Sequence, residues 1–145
     1  MKNTPINVLS TIPFEDELVK NILDVSPLIH YNQHITRNVE ELPAALLSQA
    51  EVLYTNIAVP EPDKAPNLKW LQFHWAGIEF ALDQPLLKQA GIQFTTLSGA
   101  AAPQIAEYVL TAFLTIAHKF PEMWDFQRRA EWPKDKWERF SPTEL

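Results

Sequence analysis

Short apolar runs alternate along the chain with stretches in which apolar residues recur every three or four positions. Residues 6–9, 28–31, 52–55, 68–74 and 92–95 read as five buried strands, bounded by polar and turn-forming residues. Between them, Pro13 and the acids Glu15, Asp16 and Glu17 mark a first helical turn that Leu18, Ile22 and Val25 continue. Asn38 and Glu41 resemble a capping box, and Leu42, Leu46 and Gln49 extend it as a helix. Pro60, Pro62 and Pro66 define a loop. Pro85 opens a short helix that Gly91 closes. Pro103 opens the longest helix, to about Phe120, with an apolar arc through Ile105, Val109, Leu110, Phe113, Leu114 and Ile116. An arc that wide predicts packing on more than one side.

Strand–helix alternation of this kind predicts an α/β fold: a flavodoxin-like open parallel sheet of about five strands with helices on both faces, ending in a long helix and an aromatic tail. Ligands of such sheets bind beyond the carboxyl ends of the strands. Here those ends are Ser10-Thr11, Thr55-Asn56, His74 to Gly77 and Thr96 to Gly99. After Pro121 the tail carries Met123, Trp124, Phe126, Trp132, Trp137 and Phe140. It is too aromatic for a solvated tail and too short for a second core, so it is expected to pack on a surface that this chain does not supply or on a second copy.

Composition narrows the chemistry. The 145 residues include no Cys, which excludes a disulfide scaffold, a Cys-based zinc site and a cysteine nucleophile. A formal net charge of −6 without a basic cluster disfavours nucleic-acid binding. No stretch approaches the roughly 20 apolar residues of a membrane span, and the start MKNTPINVLS lacks a secretory pattern. The expectation is a cytoplasmic protein that binds neither membrane nor nucleic acid.

Three stretches carry more specific information: residues 66–79 (PNLKWLQFHWAGIE), Gly91-Ile92, and residues 98–108 (SGAAAPQIAEY). In order and spacing they resemble the NAD(P)-dependent D-isomer-specific 2-hydroxyacid dehydrogenases, in the glyoxylate/hydroxypyruvate reductase-like branch. The resemblance runs over essentially the whole chain but covers less than half of such an enzyme. It implies that residues 1–120 are the N-terminal part of a flavodoxin-like substrate domain. Residues 121–145 would be a connecting segment toward a Rossmann NAD(P)-binding domain that lies outside this sequence. The family's acid/base His, the carboxylate that raises its pKa, the Arg that clamps the substrate and the glycine-rich dinucleotide turn all fall in that outside part. The resemblance therefore implies no catalytic residue here, no cofactor held by this chain alone and an inactive, truncated piece. A small 2-keto or 2-hydroxy acid is the implied substrate, and NAD or NADP the cofactor of the complete enzyme.

Carried over residue by residue, the turn Ala76-Gly77-Ile78 matches the loop whose backbone amides meet the substrate carboxylate, and Asn56-Ile57 matches a second loop lining the pocket. Ala100 and Ala101 match positions near the substrate where formate dehydrogenases have an Asn and some lactate dehydrogenases a Tyr; two alanines imply an open pocket without either specificity. Ile105 matches an apolar residue touching the nicotinamide ring. Glu79 stands where relatives often have Asp.

Plainer readings accompany these. Ala76-Gly77 also suits a tight strand exit, Asn56 a turn, and Ala100, Ala101 and Ile105 ordinary packing. His30, His34, His74 and His118 show no metal-ligand spacing on one helix with a carboxylate, and no metal is expected; His74 lies nearest the ligand edge. Arg128-Arg129 reads as a solvated face. Trp132 and Trp137 resemble a region with which some reductases reach across a dimer. The alternative is a stand-alone flavodoxin-like binding or oligomerisation module without catalysis. A receiver-type Asp is absent from the end of the third strand, and residues 10–14 contain no Gly for a flavin phosphate loop. The exposed apolar helix and tail predict self-association, as a homodimer or larger.

Overall fold

A computed structural model describes residues 4–144. Residues 1–3, which open the stretch searched for a secretory leader, and residue 145, the last of the sequence, lie outside the described part. The chain divides into two compact units, Met1–Ser98 and Gly99–Leu145.

In the first unit, β1 (Ile6–Ser10), β2 (Ile29–Gln33), β3 (Val52–Thr55), β4 (Trp70–Phe73) and β5 (Gln93–Thr95) form one sheet in the order β2-β1-β3-β4-β5, with every neighbouring pair parallel. This is the open flavodoxin-like order that the strand–helix alternation predicts. The register aligns Leu9, Leu53, Leu71 and Phe94 across four strands. Side chains alternate faces along a strand, so these residues share one side. With Phe73 they meet Leu42, Leu47, Ala81 and Leu86 in the buried core. The opposite side carries Ile6, Val8, Ile29, Val52, Tyr54 and Trp70. Together with Ile22 of α1 (Asp16–Asp24), they line an apolar trough of about 610 Å³. The core face is capped by α2 (Ala44–Gln49) and by short 3-10 turns, the trough face by α1.

Local chemistry moves several boundaries. Asn38 caps, but not through the expected box: its Oδ1 accepts Glu40 N–H at 3.1 Å, its Nδ2 donates to Glu41 Oε1 at 3.4 Å, and its own backbone N–H donates to Thr36 Oγ1 at 3.0 Å. The segment is nevertheless not one helix. Pro43 has no N–H to donate, so a 3-10 turn over Val39–Glu41 ends there and α2 begins afresh. Pro85 opens a 3-10 turn, Pro85–Lys88, rather than an α-helix. Gly91 lies beyond its end at φ +91°, in the turn entering β5.

Glu51, just ahead of β3, ties the amino edge of the sheet together. Its carboxylate pairs with Lys69 and accepts Asn7 N–H at 3.3 Å, while its carbonyl accepts Lys69 N–H at 2.8 Å. The Lys69 hydrogen bond holds the Glu51 pKa below its ordinary value, against a smaller opposing effect of burial. A folded pKa below the unfolded one stabilises the protein above about pH 4.3, the unfolded value, and the gain is lost as pH falls through the folded value. Lys69 is largely exposed, so solvent screens the pair. Lys69→Met is expected to lower stability by about 0.5 kcal/mol at neutral pH and by nothing in acid below the folded pKa, as read by urea unfolding at both pH values.

The second unit contains α3 (Ala102–Ala117), α4 (Phe120–Arg128) and α5 (Lys136–Arg139). The long helix stops short of Phe120: Lys119 adopts φ +59°, and Pro121 then sits in the first turn of α4. The tail expected to need an outside surface is thus partly folded on itself. Phe126 and Phe140 meet edge-on with centroids 5.7 Å apart, Arg129 lies over Phe126 at 4.7 Å, and Thr143 N–H donates to Ala117 O at 2.9 Å. Trp132 and Trp137 stay exposed. Among the described residues no helix is long and apolar enough to cross a membrane.

Candidate functional site

The carboxyl ends of β3 and β4 lie side by side, and each runs into one of the turns singled out above. Beneath the first turn, Thr55 is fully buried and serves as its anchor. Its hydroxyl accepts Ala58 N–H at 3.0 Å and the Thr11 hydroxyl at 2.8 Å, and Val59 N–H closes onto Ile57 O at 3.0 Å. This folds Asn56-Ile57 outward over the strand end. Ile57 is exposed. Asn56 Oδ1 is buried and has no hydrogen-bond partner among the described residues. A buried acceptor in that state is an unsatisfied polar group within the loop, not one open to solvent.

The second turn is held from both sides. His74 N–H donates to Thr55 O at 2.8 Å, Leu97 N–H donates to Trp75 O at 3.1 Å, and the Ser98 hydroxyl donates to Ala76 O at 3.4 Å. Ile78 packs into the core and its carbonyl accepts Ala81 N–H at 2.8 Å, which fixes the exit of the turn. The carbonyls of Trp75, Ala76 and Ile78 are thus engaged, while the N–H groups of Ala76, Gly77 and Ile78 have no acceptor among the described residues. Successive amides of this kind favour an anion.

One contact had no warning in the sequence beyond a two-residue spacing. A Cβ placed on Gly77 would stand 2.7 Å from Glu79 Oε2 and 3.4 Å from Oε1. The end of the Glu79 side chain therefore lies near the Gly77 α-carbon, and, being exposed and flexible, it can move aside for a larger residue.

His74 joins this edge through its ring. The Tyr54 hydroxyl is 2.8 Å from His74 Nδ1, Phe14 leans on Tyr54 at 5.0 Å, and Trp75 meets His74 edge-on at 6.1 Å. Burial raises the pKa of the Tyr54 hydroxyl, so it stays protonated through the neutral range. His30 lies in β2, and His118 caps the end of α3. Neither stands at the ends of β3 and β4.

In the other unit, Gly99 at φ +89° turns the chain, and Ala102 N–H donates to Gly99 O at 3.1 Å. Ala100 and Ala101 follow, exposed, and Ala101 precedes α3 without a capping side chain. Ile105 sits in the first turn of α3 and is exposed. The structure thus brings Asn56 and Ile57 beside Ala76, Gly77 and Ile78 in one unit, and places Ala100, Ala101 and Ile105 together in the other. The three glycines lie in three separate loops.

No family model matches the chain, and no curated protein does. Solved structures do. A D-lactate dehydrogenase from Treponema pallidum superposes with a TM-score of 0.67 at 23% identity, over 95% of this chain and 43% of that one. A D-lactate dehydrogenase from Aquifex aeolicus, complexed with NAD and lactic acid, gives 0.61 at 18% identity, over 94% of this chain and 40% of that one. A phosphoglycerate dehydrogenase from Lactobacillus plantarum gives 0.50 at 26% identity, over 87% and 40%. The chain therefore spans well under half the length of these enzymes, and its fold is the one they contain.

Proposed function

We infer that this chain belongs to the D-isomer-specific 2-hydroxyacid dehydrogenases and forms the N-terminal, substrate-binding part of one. The observation that carries this reading is the paired turn system. Two anchored loops at adjacent strand ends leave three backbone amides, at Ala76, Gly77 and Ile78, without an acceptor among the described residues. A 2-hydroxy acid has the complement, a carboxylate for the amides.

In this reading residues 1–120 belong to the substrate domain and residues 121–145 lead toward a nicotinamide-binding domain. That domain supplies the dinucleotide cradle and the acid/base, orienting and clamping side chains. Ala100 and Ala101 leave room at the substrate, and Ile105 faces the nicotinamide when the parts are joined. The residues present do not fit NAD or NADP by themselves, because no phosphate loop is among them, and no hydride step is assigned to this chain. Its compartment is the cytoplasm. The exposed apolar side chains of α3, from Ile105 to Ile116, support self-association as a homodimer or larger.

The reading is tested by nuclear magnetic resonance on the uniformly ¹⁵N-labelled 145-residue chain. Titration with D-glycerate is expected to move the amide signals of residues 56–57 and 76–78 and to leave β2 unaffected, whereas NAD is expected to move none of them. Incubation with NADH and hydroxypyruvate is expected to give no loss of nicotinamide absorbance. Turnover by this chain alone, or D-glycerate shifts confined to other surfaces, would overturn the reading.

A further inference from the structure

We propose that Tyr54 is a positioning residue for the substrate turn: its hydroxyl, donated to His74 Nδ1, holds the imidazole in the Nε2–H tautomer and fixes the end of β4 from which residues 76–78 turn away. This rests on the substrate reading above and deepens it.

Three contacts place the two rings. Tyr54 stands in β3 just before Thr55, and its hydroxyl is 2.8 Å from His74 Nδ1. The rings also meet edge-on with centroids 5.8 Å apart. The His74 N–H extends the β3–β4 ladder to Thr55 O at 2.8 Å. His74 is therefore tied to β3 through both its side chain and its backbone, immediately before the Trp75-Ala76-Gly77 turn. Tyr54 is braced in its turn. Phe14 leans on it with centroids 5.0 Å apart, and Phe14 N–H donates to Gln33 Oε1 at 2.9 Å. A line of side chains thus crosses the carboxyl end of the sheet. It runs from Gln33 of β2 through Phe14, in the segment leaving β1, to Tyr54 of β3 and His74 beyond β4.

Either ring can supply the shared proton, and burial decides which one does. Tyr54 is half-buried, and its hydroxyl has no other acceptor among the described residues. Burial also keeps that hydroxyl protonated. His74 is exposed, so an Nε2–H is satisfied by water or by a ligand. The opposite arrangement would leave the proton of the more buried group without a protein acceptor, the costlier of the two. The Tyr54 O–H therefore donates, Nδ1 accepts, and Nε2 carries the ring hydrogen. A strand end held this way presents the following amides already ordered. The entropy cost of arranging them then falls on folding and not on binding.

The test uses the full ¹⁵N-labelled chain at about pH 8, where imidazoles are ordinarily neutral. Long-range ¹H–¹⁵N spectra read the His74 tautomer, and D-glycerate titration of the residue 76–78 amides reads affinity. The wild type is expected to show Nδ1 without and Nε2 with a proton. Tyr54→Phe keeps the ring and removes only the hydroxyl. It is expected to move His74 to a mixture of tautomers and to weaken D-glycerate binding roughly two- to tenfold, as for one lost hydrogen bond. His74→Asn keeps an acceptor for Tyr54 and is expected to bind closer to wild type than His74→Ala. Tyr31→Phe removes another half-buried hydroxyl on the same face, bonded to Gln33 Oε1, and is expected to change neither reading. A wild-type His74 protonated on Nδ1 would overturn the proposal, as would a Tyr31→Phe effect equal to that of Tyr54→Phe. If Tyr54→Phe leaves the tautomer or the affinity unchanged while D-glycerate still moves the turn, the role of Tyr54 is rejected and the substrate reading stands. If D-glycerate moves none of residues 76–78 in the wild type, the substrate reading fails and takes this proposal with it.

Discussion

Phe73→Ala is expected to lower the unfolding free energy by about 3–5 kcal/mol, the usual cost of removing a fully buried phenyl ring. Phe73 is 0% exposed at the end of β4, stacked edge-on with Phe80 at 5.9 Å and set among Leu71, Leu53 and Leu86. Among neighbours that are mostly apolar, the surrounding side chains would have to collapse to recover packing. Domains hold only about 5–15 kcal/mol in total, so the variant is expected to be largely unfolded at modest urea concentrations. The control is Trp70→Ala, three residues earlier on the other face. Trp70 is larger but 40% exposed, and its Nε1 donates to Thr95 Oγ1 at 2.6 Å. It is expected to cost less than Phe73→Ala in urea unfolding followed by far-ultraviolet circular dichroism. The reverse order would place the core on the wrong side of the sheet. A loss at Phe73 also reaches the candidate site, because Phe73 directly precedes His74, whose N–H ties the second turn to Thr55.

Phe113→Glu is expected to weaken self-association by about a hundredfold or more. The α3 side chains Ile105, Tyr108, Leu110, Phe113 and Ile116 are each more than half exposed. Contiguous apolar surface of this extent is rare on a lone soluble domain. Burying one phenyl ring contributes about 1.5–3 kcal/mol, and placing a carboxylate in its stead adds a desolvation penalty. Each 1.4 kcal/mol is tenfold in affinity. Sedimentation velocity at micromolar concentration is expected to show a dimer or larger for the wild type and a monomer for the variant. A monomeric wild type would refute the homodimer. Val25→Glu, a change at a still more exposed apolar residue following α1, is expected to leave the assembly intact.

The sheet was legible because each strand is an apolar run with few competing patterns, and the parallel order follows once helical segments separate the runs. Val52–Thr55 matches the predicted residues, while the fourth strand is shorter than its apolar run because Leu68 and Lys69 still belong to the loop that leads in. Helices were harder. Asn38 caps the turn through Glu40 rather than in the reciprocal box its spacing with Glu41 suggests, and Pro43 decides how far the helix extends; the apolar period alone does not register a missing donor. In the tail the aromatic composition hid helix signals that were present, Pro121 at a first turn and an Asp135–Arg139 pair four residues apart. At the site, the turns at Asn56 and Gly77 could be placed at strand ends from sequence. Neither the folding-back of Glu79 nor the isolation of Asn56 Oδ1 could be, since both depend on where a side chain comes to rest in space.

The trough beside α1 has a thermodynamic corollary. A sheet packed dry on one face and only partly covered by α1 on the other has a melting point that depends on what else is in solution. Any molecule lying along Val8, Val52 and Trp70 in the native state alone stabilises the fold by about 2.7 kcal/mol at a hundredfold excess over its dissociation constant, and the melting temperature rises with the logarithm of its concentration. Thermal shift against a panel of additives therefore becomes an assay of occupancy, and the stability of this polypeptide is a property of its company as much as of its sequence.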